Sequence, residues 1–294
     1  MRKGLYQSSM KSDTSKCQLP AISDPGETSS SILINGRTVS FKKSGAGPPL
    51  VVFHGWIGDE DTFAPCNTAF AQHYTVYRPA WPGYGKSSPL PNFSIEDLVE
   101  IGRQFLLATG NTPVTLVGNC LGGVVAVELI RLYPELVKQL ILIEMYDYMP
   151  WYLHFLLIPK LNVLLYNLLF KSTTRFRILN RLLTTKFVRE GKGMRYTEEG
   201  FRRTAAQTAT DFLKAVKSFE NKLYREQYHT DIATIYVEGG RSFKPISAFR
   251  ETAIKYFSNL TIVSMPDSLH MPIAEQPECF SANVLHYLGH STSG

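Results

Sequence analysis

The 294-residue chain has four cysteines, Cys17, Cys66, Cys120 and Cys279, and no two form a CxxC pair. That spacing argues against a zinc site and against a disulfide framework, so reduced, intracellular thiols are expected. No apolar run approaches the ~20 residues of a membrane-spanning helix. Residues 1–30 are rich in Ser and Lys and lack an apolar segment, so they hold no secretory signal. They read as a disordered tail. Asp13, Asp24 and Glu27 count against a cleaved organelle-targeting peptide. The expected location is the cytoplasm, with peripheral membrane association or organelle targeting as alternatives. Acidic residues are scarce in one place. Between Pro150 and Ala215 the chain has Glu190, Glu198, Glu199 and Asp211 against many Lys and Arg, which accounts for the net charge of +6. No nucleic-acid motif accompanies that basic stretch, so no nucleic-acid partner is expected.

The rest is the composition of a soluble globular protein, 44% apolar and 19% charged. Ile32-Leu33-Ile34, Asn35-Gly36 and Thr38-Val39-Ser40-Phe41 form a hairpin pattern. Leu50-Val51-Val52-Phe53, Val114-Thr115-Leu116-Val117 and Leu140-Ile141-Leu142-Ile143 are short continuous apolar runs, typical of strands buried on both faces. Ser94-Ile95-Glu96-Asp97 resembles a capping box, and it opens a helix with Leu98, Ile101, Phe105 and Leu106 on one face. From Met149 to about Lys217 only helical patterns occur, before strands return at Ile232–Val237 and Leu260–Val263. Strand–helix alternation predicts an α/β fold with a mostly parallel central sheet covered on both faces. The predicted organisation is a tail over 1–30, a core over 31–148, a helical insertion over 149–217 and the rest of the core over 218–294. The insertion would lie over the carboxyl ends of the strands, where such sheets bind ligands.

The stretch Val117-Gly118-Asn119-Cys120-Leu121-Gly122-Gly123 has the G-x-S-x-G spacing of a nucleophile turn, with cysteine at its centre. Small residues two before and two after the centre let a strained strand-to-helix turn pack while the side chain points out. The N-terminus of the following helix favours negative charge on the sulfur and on an oxyanion.

Three further segments complete a resemblance to the alpha/beta-hydrolase superfamily of the helical-cap type. His54-Gly55-Trp56 stands as the family's oxyanion HG. Pro82-Gly83-Tyr84-Gly85-Lys86-Ser87 is similar to its D-x-P-G-x-G-x-S loop, without the usual Asp. His270-Met271-Pro272 with Glu275-Gln276-Pro277 resembles its C-terminal H-x-P-x-x-E-x-P segment. The resemblance runs in order over roughly residues 32–290. It implies Cys120 as nucleophile, His270 as base, and the backbone N–H groups of Trp56 and Leu121 as oxyanion donors. The His54 ring is expected to be structural. Dienelactone hydrolases and polyhydroxyalkanoate synthases also carry G-x-C-x-G, so cysteine does not imply a dead enzyme. It excludes haloalkane dehalogenase and epoxide hydrolase chemistry, which needs a carboxylate nucleophile.

The family's usual acid is missing. At its G-x-x-D position the chain reads Gly239-Gly240-Arg241-Ser242. Some cap-containing relatives move the acid to the end of the preceding core strand, where this chain has Glu144. A charge directly after an apolar strand needs a partner. Glu144 is therefore the expected acid, with Asp147 and Glu238 as alternatives.

The segment from Trp151 to Phe170 is unusually apolar for an insertion. It points to an apolar acyl or polyketide-like substrate, with Trp56, Trp81, Trp151, Tyr152 and Phe155 as candidate binding residues. The cations that follow suit a solvated face, an anionic membrane surface or an acyl carrier. No cofactor or metal is implied. The expected activity is acyl transfer from an ester, thioester or lactone through an S-acyl-cysteine. An acyltransferase or cyclase using the same site, and a non-catalytic ligand receptor, are the alternatives.

Overall fold

The computed structural model describes residues 10–11, 26–182, 192–220, 222–242 and 244–290. Nine strands form one sheet among these residues: β1 (Met10–Lys11), β2 (Glu27–Ile34), β3 (Arg37–Ser44), β4 (Pro49–Phe53), β5 (Thr75–Pro79), β6 (Val114–Asn119), β7 (Val137–Ile143), β8 (Ala233–Gly239) and β9 (Leu260–Met265). Their order is β1-β9-β8-β7-β6-β4-β5-β3-β2. The expected parallel sheet is present. Only the β2–β3 hairpin and its seam with β5 run antiparallel.

The helices are α1 (Ala64–Ala71), α2 (Ile95–Ala108), α3 (Gly122–Leu132), α4 (Asn162–Phe170), α5 (Thr173–Leu182), α6 (Lys192–Arg203), α7 (Ala206–Lys217), α8 (Lys222–Arg225), α9 (Lys244–Tyr256), α10 (Pro272–Glu275) and α11 (Pro277–Tyr287). Ser94 and Asp97 form the expected capping box of α2, each side chain accepting the other's backbone N–H. Every residue of β4 and β6 is buried. Their side chains alternate between two cores. Val51 and Phe53 meet α2 and α3 on one face, while Leu50 and Val52 meet α1 and α11 on the other.

Strand order reverses at β4. The chain goes from β4 to β5 on one side, then returns to place β6 on the other. The loops leaving β4 and β6 therefore diverge, and a crevice opens between them at the carboxyl end of the sheet. The HG segment leaves β4 and the cysteine turn leaves β6. Topology alone puts both at the same crevice.

Between β7 and β8 the chain leaves the sheet and forms a 3-10 turn (Trp151–Leu157) and then α4 to α8. This block is seated on the crevice through aromatics. The Trp56 ring meets Tyr166, Phe170 and Phe201 edge-on, and its Nε1–H donates to the Ala209 carbonyl at 2.8 Å. Among the described residues no helix is long and apolar enough to cross a membrane.

Most of the tail expected over 1–30 lies outside the described residues; Met10–Lys11 pair with β9, and β2 begins at Glu27. One expectation needs correction. Cys279 is disulfide-bonded, while Cys66 and Cys120 are free. Separation along the chain does not report separation in the fold, so the spacing argument for four reduced thiols fails.

Candidate active site

Cys120 occupies the sharp turn between β6 and α3. Its φ is +51°, in the left-handed region that costs a non-glycine residue about 1–3 kcal/mol. Two glycines let the turn pack. A Cβ on Gly122 would collide with the carbonyl oxygens of Phe53 and His54, and one on Gly55 would lie 2.9 Å from the Cys120 Cβ. The HG loop and the cysteine turn therefore touch backbone to backbone. The first turn of α3 holds no acidic side chain, so its N-terminal dipole faces the sulfur uncompensated.

The Cys120 side chain is hydrogen-bonded by His270 and by Tyr146. His270 Nδ1 lies 3.0 Å from Glu144 Oε2, which leaves the other ring nitrogen for the sulfur. Burial alone would lower the His270 pKa. The charge and hydrogen bond of Cys120, with those of Glu144, outweigh it and hold the imidazole at about 10. The arrangement favours the protonated imidazole.

Glu144 follows β7 at once, is fully buried, and also has a φ of +51°. Its carboxylate accepts hydrogen bonds from Gly239 N–H, Ser242 Oγ and His270. Burial pushes its pKa up, and these three donors oppose that shift. Ser242, which stands where the family's Asp is usual, thus reaches the carboxylate that faces the histidine. The two loops converge on one place in space, and the carboxylate that meets His270 comes from β7 and not from β8. Asp147 lies instead beside a small pocket with Leu121 and Met149. Glu238 accepts from Arg250 and from Ser264, on the neighbouring strand.

The Trp56 and Leu121 N–H groups have no acceptor among the described residues. The His54 ring is structural, as expected. It is fully buried, accepts from Trp81 N–H at Nε2 (3.0 Å) and donates from Nδ1 to the Gly55 carbonyl (2.9 Å). Burial lowers its pKa to about 4, so it stays neutral.

An apolar cavity of about 360 Å³ opens onto the sulfur. Cys120, His270 and Tyr146 stand at its floor, and Trp56, Tyr152 and Phe155 line its walls. Trp151 also lines it, although 81% of that residue is exposed. Trp81 does not line it. It is 2% exposed, packs on Phe53, and donates from Nε1 to the His54 carbonyl. The turn after β5 points it into the core.

Two further residues touch this arrangement and are not marked by the sequence as site residues. Tyr146 comes two residues after the left-handed bend at Glu144, and no local pattern reveals that its hydroxyl meets the sulfur. Glu275 was visible only as a motif letter. Its Oε2 accepts from Leu269 N–H at 2.7 Å and Ser268 Oγ at 2.8 Å, which fixes the loop that carries His270. Among the described residues no group of three or more His, Cys, Asp or Glu could hold a metal ion. The arrangement can attack a carbonyl carbon, hold the oxyanion, and pass a proton to a leaving group.

Known proteins share part of this sequence and its fold. An uncharacterized protein of Mycobacterium tuberculosis is 34% identical over 113 residues, 38% of this chain and 33% of that protein. The pimeloyl-[acyl-carrier protein] methyl ester esterase of Chromobacterium violaceum is 32% identical over 99 residues, 34% of this chain and 37% of the esterase. The chain thus spans little more than a third of the length of these curated relatives. The solved structure of potato (Solanum tuberosum) epoxide hydrolase I shares the fold, with a TM-score of 0.73, 16% identity, and coverage of 90% of this chain and 99% of the other. The sequence pattern of the alpha/beta hydrolase fold family matches residues 48–277, most of the chain, and the chain belongs to that family.

Proposed function

We propose that the chain is an acyl-transfer hydrolase that cleaves an ester, thioester or lactone of an apolar acyl group through an S-acyl intermediate on Cys120. The line Cys120–His270–Glu144, opening on an apolar cavity, carries this reading. The thiolate attacks the carbonyl carbon, and the Trp56 and Leu121 N–H groups receive the oxyanion. The oxyanion collapses, the carbon–leaving-group bond breaks, and the His270 imidazolium protonates the departing oxygen or sulfur. Water then adds to the thioester as His270 takes its proton, and the acid leaves as the thiolate reforms. Glu144 orients the imidazole and stabilises its positive form, as the acid does in a serine triad.

The helical block over 149–217 acts as a cap that gives the cavity its apolar walls. The esterase of Chromobacterium violaceum, by its name, acts on an acyl methyl ester, which agrees with an acyl substrate here. A second reading is favoured by the cavity lining. Apolar walls disfavour water, and a thioester reacts readily with amines, so transfer to an alcohol, amine or thiol uses the same site.

Intact-protein mass after incubation with a panel of acyl thioesters and activated esters tests the proposal. An acyl adduct is expected on the wild type and not on Cys120→Ala. Absence of both adduct and turnover, with saturable binding of the same acyl compounds, would make the protein a ligand receptor.

A further inference from the structure

Residues 151–182 contain Lys160, Lys171, Arg175, Arg177 and Arg181 and no Asp or Glu. The same stretch holds seven of the eleven large apolar side chains that stand exposed among the described residues. Leu161, Leu164 and Leu168 lie along the outer side of α4, opposite Tyr166 and Phe170, which are buried. On the adjoining α5, Ile178 and Leu182 lie outward with Arg175 and Arg181, while Phe176 faces in. A surface helix ordinarily shows a polar outer face. Helix α4 has no charged residue, and its outer side is as apolar as its inner one.

Two of the cations are used within the block. Lys171 Nζ binds the carbonyls of Arg202 and Thr204, and Arg177 pairs with Glu198. Lys160, Arg175 and Arg181 stand exposed among the leucines. Trp151 and Ile158 extend the same apolar face, and Trp151 also lines the cavity. The patch is therefore continuous with the mouth of the site.

We propose that the outer face of the 3-10 turn, α4 and α5 docks on the surface of an anionic lipid bilayer. An acidic protein partner would be met by the cations alone and would leave the leucines in water. A bilayer takes both: the leucines sink to the acyl boundary while the cations stay among anionic headgroups. Docking turns the mouth of the cavity toward lipid, so an apolar acyl substrate enters from the bilayer. That last step rests on the acyl-transfer reading, whereas the docking itself does not.

The test is sedimentation of the full chain with phosphatidylcholine vesicles, with and without phosphatidylglycerol. Wild type is expected to bind the anionic vesicles more tightly. The triple variant Leu164→Gln, Leu168→Gln, Ile178→Gln, and separately Arg175→Glu with Arg181→Glu, should each weaken binding about tenfold or more. Both variants should form the acyl adduct from a water-soluble thioester as fast as wild type, which also shows that they fold. No binding by wild type overturns the proposal. So does binding that survives the leucine changes, which would be adsorption by charge alone, and so does capture of an acidic acyl carrier protein by this face with no vesicle binding. Vesicle binding is read without turnover, so a chain that docks but shows neither adduct nor turnover sinks the acyl-transfer reading and leaves docking standing.

Discussion

The floor of the crevice and the outer face of the helical block treat solvent in opposite ways. At the floor, a carboxylate with no exposure is surrounded by three donors, and two non-glycine residues hold left-handed backbone. On α4 and α5, leucines stand in water and cations have no acid of their own stretch to pair with. The first region is finished within the chain and is costly to disturb. The second is unfinished without something outside the chain. A folded chain tolerates strain where it pre-organises chemistry and exposed apolar surface where a partner covers it.

The comparison breaks first at the sulfur. Cys120→Ala should abolish the acyl adduct and cut turnover by about 10⁴-fold or more, read by mass and by steady-state rates. Next, Glu144→Gln should slow acylation by about a thousandfold, because the imidazolium loses its charge partner. Adding Ser242→Asp to that variant returns a carboxylate to the same place and should recover part of the rate. No recovery would show that the two loops do not converge as described.

A third test reads the pair directly. His270 should titrate near 10 in wild type by NMR of its ring. In Cys120→Ala the midpoint should fall toward the ordinary 6.5, because the sulfur's charge and hydrogen bond are gone. A histidine pKa raised in the folded state stabilises fully below about 6.5, and that contribution is lost as pH rises through about 10. The melting temperature of wild type relative to Cys120→Ala should decline across that window. Tyr146→Phe removes one donor from the sulfur and should slow adduct formation about tenfold. The smallest effect belongs to the outer face. Leu164→Gln should change stability by no more than about 0.5 kcal/mol in a denaturant titration, since that side chain is 61% exposed. A large loss there would mean that the leucine is covered within the chain, and the contrast between the regions would fail.

The parallel sheet, the cysteine turn and the histidine segment were legible because each is written in contiguous residues. Continuous apolar runs mark strands buried on both faces, and a left-handed turn between strand and helix demands small neighbours. Glu144 stands out in the sequence by a different route, as a charge placed directly after such a run. Tyr146, Trp81 and Ser242 were not legible. Where each side chain points depends on a bend in one loop and on what a distant loop brings to meet it. The four cysteines teach the same lesson, since the disulfide at Cys279 has no local sign.

What the sequence alone determined is the set of elements and their order, because hydrophobic periodicity, capping and turn chemistry act over a few residues. Only the tertiary structure decided which loops share the crevice. The reversal of strand order at β4 brings residues 54–56 and 120 together, and the adjoining carboxyl ends of β7, β8 and β9 carry 144–146, 242 and 270 to the same place. Contacts between parts of the chain so far apart are set by packing across the whole sheet, which no short window of residues contains.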